Sequence, residues 1–309
     1  MAAMREASTL AGVTVVSLAV NLPGPLAAAR LASMGACVCK VEPPGGDPLA
    51  TAAPTWYDDL VADQEVVTLD LKDRAGRSAL EARLAGADVL LTAMRPSALA
   101  RLELEESVER HGLVHVEIVG YDGERADEAG HDLTYQADQG TVLPPALPLV
   151  PVVDLLGAER AISATLAGLR QRDRAPGASV TRIVLDHVAF DAAAGVRHRL
   201  TGPGDLLGGG SSSYGIYPTA DGHVAVGAIE PHFAGRLLEG VGDTREHLAA
   251  RFATESSVHW ESLGRALDIP IVAVRDPRAV ATALARSPDS TPTPSPNTVR
   301  SCQQQGAEQ

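Results

Sequence analysis

Short apolar runs alternate with amphipathic helical segments along residues 1–185. The strand-like runs are rich in β-branched residues and occupy 12–19, 36–42, 65–71, 87–94, 113–121 and 178–186. Helical patterns separate them, and the longest covers 152–172. Strands that alternate with helices pair in parallel, because each helix returns the chain to the end where the next strand begins. The pattern therefore predicts an α/β fold with a Rossmann-like large domain.

The pattern changes after this region. Residues 186–213 contain the glycine-rich segment GDLLGGGSSS, which predicts a linker. Residues 214–286 contain two strand-like runs around an Asp-Gly pair, typical of a β-hairpin, followed by helical segments. This stretch is predicted to be a small α+β domain. Residues 287–309 are rich in Pro, Ser, Thr and Gln and have few large apolar side chains, so we expect a disordered tail.

Composition narrows the possible partners. The chain has 39 acidic and 26 basic residues and a formal net charge of −13, which disfavours nucleic acid and anionic membrane surfaces. Its apolar stretches are interrupted well before the roughly 20 residues that a membrane helix needs. We therefore expect a cytoplasmic protein that acts on a small molecule. The three cysteines lack metal-ligand spacing, so no metal is expected.

Several motifs follow one another in a characteristic order: NLPGPLAAARLASMGACVCKVEPPGGDPLA, VVTLDLKDRAGR, AGHDLTYQADQG, VPVVDLLGA and TADGHVAVGAIEPHF. This series resembles the family III CoA-transferase superfamily from residue 12 to about residue 280. Within it, AGHD and AVGAIEP are most similar to the alpha-methylacyl-CoA racemase branch. The resemblance implies a homodimer whose two chains pass through one another like linked rings. A heterodimer with a paralogue stays open as an alternative.

The resemblance also implies roles for particular residues. His131 and Asp154 match the two acid/base residues of a cofactor-independent racemase, and Glu230 matches a glutamate that the partner chain places beside the histidine. Inverting a carbon next to a thioester requires one group to remove the proton and another to return it from the opposite face, through an enolate. No cofactor is expected, and CoA enters only as part of an acyl substrate.

Helix termini would support this chemistry. We expect His131 to open a helix, whose positive end disfavours an imidazolium and so keeps the ring neutral. Asp154 is expected to open a second helix, whose backbone N–H groups would hold the thioester oxygen as negative charge develops on it.

Each of these residues also has a structural interpretation. Asp154 is suited to be the N-cap of its helix, and His131 and Asp132 to be loop and cap residues. Asp132 fits a cap better than a base. Glu230 precedes a proline and is also consistent with a solvated residue at a helix start.

The expected phosphate site departs from the family pattern. Related proteins carry a basic cluster just before VxLDLK, whereas this chain reads VADQEVVTLDLK, with Asp63 and Glu65 in that place. The remaining candidates for binding the CoA phosphates are Arg30, Lys40 and Arg95. Because acidic groups repel phosphate and make no charge-assisted bonds to it, we expect weak affinity for the nucleotide half of CoA.

Three functions remain open. The first is an isomerase of the racemase or epimerase type that acts on a 2-methylacyl-CoA or a similar activated acyl substrate. The second is a family III CoA-transferase in which Asp154 is the nucleophile, and His131 with AVGAIEP disfavours it. The third is a repurposed non-CoA isomerase, cyclase or lyase, or one subunit of a heteromeric enzyme, in a biosynthetic pathway. Asp63 and Glu65 keep this third function open.

Overall fold

The structure, a computed structural model, describes residues 8–279. These residues divide into two compact units, 8–192 and 193–279. The linker predicted at 186–213 therefore includes residues of both units, and the tail predicted at 287–309 lies outside the described residues.

The first unit is an α/β layer structure. Its strands are β1 (Thr14–Ser17), β2 (Cys37–Glu42), β3 (Glu65–Thr68), β4 (Val89–Ala93), β5 (Val114–Val119) and β6 (Ser179–Val184). Its α-helices are α1 (Pro23–Ser33), α2 (Pro48–Ala52), α3 (Pro54–Val61), α4 (Arg74–Leu84), α5 (Pro96–Ala100), α6 (Glu105–His111), α7 (Asp132–Asp138), α8 (Val152–Arg172) and α9 (Leu185–Ala192). A single 3-10 turn covers Gly123–Arg125 among these residues.

All six strands pair in parallel in the order β3-β2-β1-β4-β5-β6. The chain order reverses between β1 and β4, and ligands of open α/β sheets bind at the carboxyl edge near such a reversal. The predicted Rossmann-like parallel sheet is confirmed, with VVTLDL contributing β3.

Two apolar layers cover the sheet. On one side, β5 residues pack in a cluster with the alanine-rich faces of α1 and α8. Alanine side chains are short, so these helices approach the sheet closely. Gly24 marks the tightest approach, since a Cβ added there would lie 2.1 Å from the Cβ of Ala19. This contact places the start of α1 directly over the carboxyl end of β1. On the other side, Leu80, Leu84 and Val108 of α4 and α6 complete a second cluster.

The second unit is built around an antiparallel sheet. Its strands are β7 (Tyr214–Pro218), β8 (His223–Gly227) and β9 (Ile271–Ala273), in the order β7-β8-β9. Its α-helices are α10 (Ala194–Arg197), α11 (Pro231–Gly240), α12 (Arg245–Phe252) and α13 (Ser257–Leu267), with a π-helical turn at Leu206–Gly210. Trp260 anchors the core, where its Nε1 donates to the carbonyl of Phe252 at 2.8 Å. The predicted hairpin is present as β7 and β8. Within residues 8–279, no helix has both the length and the apolarity that a membrane span requires.

Candidate active site

The segment that contains His131 is tied to the first turn of α8 by the carboxylate of Asp132. Asp132 Oδ1 accepts hydrogen bonds from the backbone N–H groups of Val153, at 2.7 Å, and Asp154, at 3.2 Å. Its other oxygen, Oδ2, accepts from Gln136 Nε2 at 2.5 Å. Because His131 immediately precedes Asp132, these bonds bring the start of α7 and the start of α8 together.

His131 is the N-cap of α7, as the sequence predicts, and it is exposed. Its backbone N–H donates to Thr134 Oγ1 at 3.0 Å, and that hydroxyl donates in turn to the carbonyl of His131 at 2.8 Å. Thr134 thus fixes the backbone at the helix start.

Asp154 lies in the first turn of α8 and is half-buried. Its carboxylate makes no hydrogen bond or ion pair to any residue in the range 8–279. Burial raises the pKa of Asp154 to about 7, and the nearby charge of Asp132 adds to the rise. A half-buried carboxyl with a perturbed pKa and no structural partner is typical of acid/base sites.

Two expectations for α8 are wrong. Its N-cap is Pro151, two residues before Val153, so Asp154 does not cap this helix. The backbone N–H groups of Val153 and Asp154 are not available to a thioester oxygen either, because Asp132 Oδ1 already accepts from both. Asp132 is a capping residue, as the sequence suggests, but it caps α8.

Lys40 is placed where it cannot bind an incoming phosphate. Its side chain is fully buried, and its Nζ donates to Asp47 Oδ2 at 2.8 Å and to the carbonyl of Ala19 at 2.9 Å. Glu42 Oε1 lies 3.5 Å from the same nitrogen. The predicted anion-binding role of Lys40 is therefore corrected: its charge holds the loops after β1 and β2 together.

The other predicted residues lie at separate places. Arg30 is exposed near the end of α1. Arg95 is exposed at the N-cap of α5, directly after β4, so it lies at the carboxyl edge of the sheet. Glu230 belongs to the second unit, where it is exposed at the N-cap of α11.

A cavity of about 850 Å³ lies at the carboxyl ends of β1, β2, β3 and β4. Apolar side chains such as Leu18, Val41 and Met94 form much of its wall. It also contains three basic and two acidic residues, which are Lys72, Arg77, Arg101, Glu42 and Asp70. The sequence motifs did not single out these basic residues, although each lies within nine positions of the end of β3 or β4, where a parallel sheet presents its ligand edge.

Asp63 and Glu65 do not line this cavity. Glu65 is the first residue of β3, so it lies near the amino edge of the sheet, about 10 Å along the strand from Thr68. Its Oε1 accepts from Arg83 Nη2 at 3.0 Å, which neutralises the charge locally. Distance and pairing both weaken the influence of Glu65 on this cavity, and the weak affinity for the nucleotide half of CoA stays a prediction.

Residues 10–287 match the model of the family described as CoA-transferase family III. Alpha-methylacyl-CoA racemase from Mus musculus is 29% identical over 276 residues, which cover 82% of this chain and 69% of the mouse protein. Succinyl-CoA–D-citramalate CoA-transferase from Chloroflexus aurantiacus is 28% identical over 285 residues, covering 83% of this chain and 71% of that protein.

A solved structure gives the same picture of the fold. A CaiB/BaiF family protein from Brucella suis superposes with a TM-score of 0.72 at 21% identity, covering 91% of this chain and 86% of that one. The likeness supports the two-part α/β architecture described above.

Proposed function

The chain belongs to CoA-transferase family III, and within that family we propose that it is an acid/base isomerase of the racemase type. Its substrate is a 2-methylacyl-CoA or a similar activated acyl compound. Asp154 and the neighbouring His131 exchange the α-proton from opposite faces, through an enolate. Both racemases and CoA-transferases are relatives of this chain, so the reaction type is the part that needs testing.

The observation that carries this proposal is the state of Asp154. A carboxyl with a pKa of about 7 has both its protonated and its ionised form at neutral pH. A residue that removes a proton in one direction and returns it in the other uses both forms. The bonds from Asp132 to the backbone of Val153 and Asp154 bring the first turn of α8 close to the residue after His131, which supports pairing the two residues in one site.

We assign the nucleotide half of the thioester to the cavity of about 850 Å³. Its apolar wall suits an adenine ring, and Lys72, Arg77 and Arg101 suit phosphate oxygens. Met94, directly after β4, lines the cavity, and β4 is the neighbour of β5 in the sheet. Lys40 and Arg30 have no part in this assignment.

Deuterium exchange tests the proposal. The purified protein is incubated in ²H₂O with the (2R) and, separately, the (2S) form of a 2-methylacyl-CoA, and α-deuterium is measured by mass spectrometry. His131→Ala and Asp154→Ala should each lower the rate of racemisation by roughly 10²–10⁴-fold, the contribution of a positioned acid or base. Each variant should still exchange one enantiomer, because its remaining base serves that face.

The matched control is Asp138→Ala, at the exposed end of the same helix α7. It should retain exchange of both enantiomers within a factor of about three. Wild-type protein without α-deuterium in either enantiomer would disprove the isomerase proposal.

The free carboxylate of Asp154 also suits the nucleophile of a CoA-transferase, and a transferase is among the relatives. A nucleophilic mechanism gives different results. A covalent acyl adduct would be trapped on Asp154 by mass spectrometry, and His131→Ala would keep much of the transfer activity. Absence of an adduct together with α-exchange would favour the isomerase.

We propose that a second chain completes the site with Glu230, as a homodimer or as a heterodimer with a paralogue. The loop between α7 and α8 supports this, because Leu143, Leu147 and Leu149 on it are 64%, 71% and 84% exposed. Exposed apolar groups of this kind mark contact surfaces. Native mass spectrometry of the purified chain should give a dimer. A monomer that racemises substrate would disprove the two-chain site.

A further inference from the structure

A second cavity in the first unit lies between β5, β6 and α6. Its volume is about 770 Å³, and it shares no lining residue with the cavity of about 850 Å³. Val108 and Val180 form an apolar part of its wall, and the rest of its lining is charged or polar. The proposed isomerase reaction uses none of these residues, so the polar lining calls for a separate explanation.

Two buried polar side chains of β5 line this cavity. Successive residues of a strand point to opposite faces of the sheet, and Val114, Val116 and Ile118 pack in the cluster with α1 and α8. His115 and Glu117 therefore lie on the other face, where they are only 3% and 7% exposed. Ionisable side chains are rarely buried to this extent, and here they lie beside open space rather than within a filled core.

Each of these side chains is bonded on one side and faces the other residue on its second side. His115 Nε2 lies 3.1 Å from Thr92 Oγ1, and Glu117 Oε2 accepts from Arg182 Nε at 2.7 Å. The remaining atoms, His115 Nδ1 and Glu117 Oε1, are 3.6 Å apart. This separation is longer than a hydrogen bond, whereas one nitrogen between the two atoms would reach both at about 2.8 Å.

The state of the imidazole decides what that nitrogen must supply. Burial lowers the pKa of His115, although the charge of Glu117 opposes the shift, so the ring is neutral at pH 7. In the tautomer whose Nε2–H donates to Thr92 Oγ1, Nδ1 is an acceptor. Nδ1 and Glu117 Oε1 are then two acceptors side by side, and a ligand with several N–H donors satisfies both.

The charges around the cavity favour a cation over an anion. Both guanidinium groups are engaged, because Arg182 binds the buried carboxylate and Arg110 Nη1 donates to Glu81 Oε1 at 2.7 Å. Glu105 and Glu109 of α6 are exposed and have no ion pair among residues 8–279. The charge left without a partner is therefore negative.

An organic cation fits this site better than a metal ion. Within the part of the chain that the structure describes, no group of three or more side chains is arranged to hold a metal. The two acceptors at 3.6 Å suit an ammonium group, and the apolar part of the wall suits a methylene chain.

We propose that this cavity binds a linear polyamine. One ammonium group donates to Glu117 Oε1 and His115 Nδ1, a second is attracted by Glu105 and Glu109, and the methylene chain between them contacts the apolar part of the wall. This inference goes beyond the isomerase function and does not depend on it.

Isothermal titration of the full chain with spermidine at low ionic strength tests the proposal. The wild type should bind spermidine saturably, and succinate, a dianion, should not bind. Glu117→Gln keeps the shape of the side chain and removes its charge. Losing a charge-assisted hydrogen bond should weaken spermidine by about 10–100-fold. The matched control is Glu239→Gln, which removes an exposed charge from α11 in the second unit and should keep the Kd within twofold.

A second variant guards against loss of folding. Glu117→Gln also alters the partner of Arg182, so its melting temperature is measured alongside. The double variant Glu105→Gln/Glu109→Gln changes only exposed residues and should melt like the wild type. It should weaken spermidine by about two- to fivefold for each charge removed. If Glu117→Gln does not fold, the double variant decides the outcome.

Three results would overturn the inference. The first is wild-type protein without saturable spermidine binding, and the second is succinate binding more tightly than spermidine. The third is an equal Kd for the wild type and the cavity variants, or an equal loss in Glu239→Gln. That result would show attraction to the net charge of −13 rather than a site.

Discussion

Asp47 and Asp154 both lie at the start of a helix near the carboxyl edge of the same sheet, but their surroundings differ. Asp47 is the N-cap of α2, and its carboxylate accepts from Lys40 Nζ and from the backbone N–H groups of Asn21 and Leu49, at 2.8, 3.0 and 2.9 Å. Asp154 accepts from no residue in the range 8–279, and the charge that adds to the rise of its pKa is another carboxylate, Asp132.

This difference separates a structural carboxylate from a reactive one. The bonds to Asp47 satisfy its charge and fix two loops. The position of Asp154 costs folding free energy, since a partly buried charge without a partner is poorly solvated. Such a cost is retained where chemistry requires it, and this physical difference supports Asp154 as the functional residue of the pair.

The largest expected effect on stability is at Asp47, the structural carboxylate of the two. Lys40→Met leaves Asp47 buried without its cation, and breaking a buried ion pair costs about 3–5 kcal/mol. Urea unfolding should show this loss. Lys72→Met, which removes an exposed lysine from the cavity rim, should change the free energy of unfolding by less than about 0.5 kcal/mol. Equal effects of the two variants would show that the Lys40–Asp47 pair contributes little.

The pattern of the chain predicts the elements of the fold well. Six β-branched runs became the parallel sheet, and the helix expected at 152–172 spans those residues. These predictions succeed because they depend on local periodicity. The role of Lys40 failed because a lysine is usually exposed, and only the folded chain shows Asp47 beside it.

The candidate site was partly predictable. His131 and Asp154 were predicted from motifs, and they lie at the starts of α7 and α8, which Asp132 joins; their catalytic role stays a prediction. The bonds from Asp132 to α8 span more than 20 residues, and no local pattern encodes them. The basic residues of the cavity, to which we assign the phosphates, were not singled out because the phosphate site was predicted from motif position and not from strand ends.

For Asp154, the reactive carboxylate of the two, we predict that Asp154→Asn increases the free energy of unfolding in a pH-dependent way. The pKa of Asp154 is about 7 in the folded chain and near 3.8 when unfolded, so the folded state binds the proton more tightly. The stabilisation of the folded state that comes from this tighter proton binding is complete below pH 3.8 and is lost as the pH rises through 7. At pH 8, Asp154→Asn should be more stable than wild type by on the order of 2 kcal/mol, allowing for partial solvation.

Denaturant unfolding at pH 8 and at pH 4 checks this. At pH 4, where the wild-type carboxyl is protonated when folded, the two proteins should differ little. A variant that is less stable than the wild type at pH 8 would show that Asp154 has a stabilising partner.

A smaller effect on stability is expected for Asp132, which joins the starts of α7 and α8. Asp132→Ala removes the acceptor for two α8 N–H groups, and losing a helix cap costs about 1 kcal/mol. It also removes a negative charge near Asp154, so the pKa of Asp154 should fall. NMR titration of the Asp154 carboxyl carbon should show a lower midpoint in Asp132→Ala than in wild type. An unchanged midpoint would mean that burial alone sets the pKa of Asp154.

The smallest effect is expected at Glu65, a third acidic residue, which lies near the opposite edge of the sheet. Glu65 pairs with Arg83 and is absent from the cavity wall. Glu65→Gln should therefore leave the Kd for CoA within about twofold of the wild-type value, because a neutralised and distant charge is largely screened. Arg101→Ala removes a cation from the cavity and should weaken the binding of CoA. Losing a charge-assisted hydrogen bond to phosphate costs about 1.5–3 kcal/mol of binding free energy. Isothermal titration with CoA measures both. Tighter binding by Glu65→Gln, with no change in Arg101→Ala, would return the phosphate site to the segment before β3.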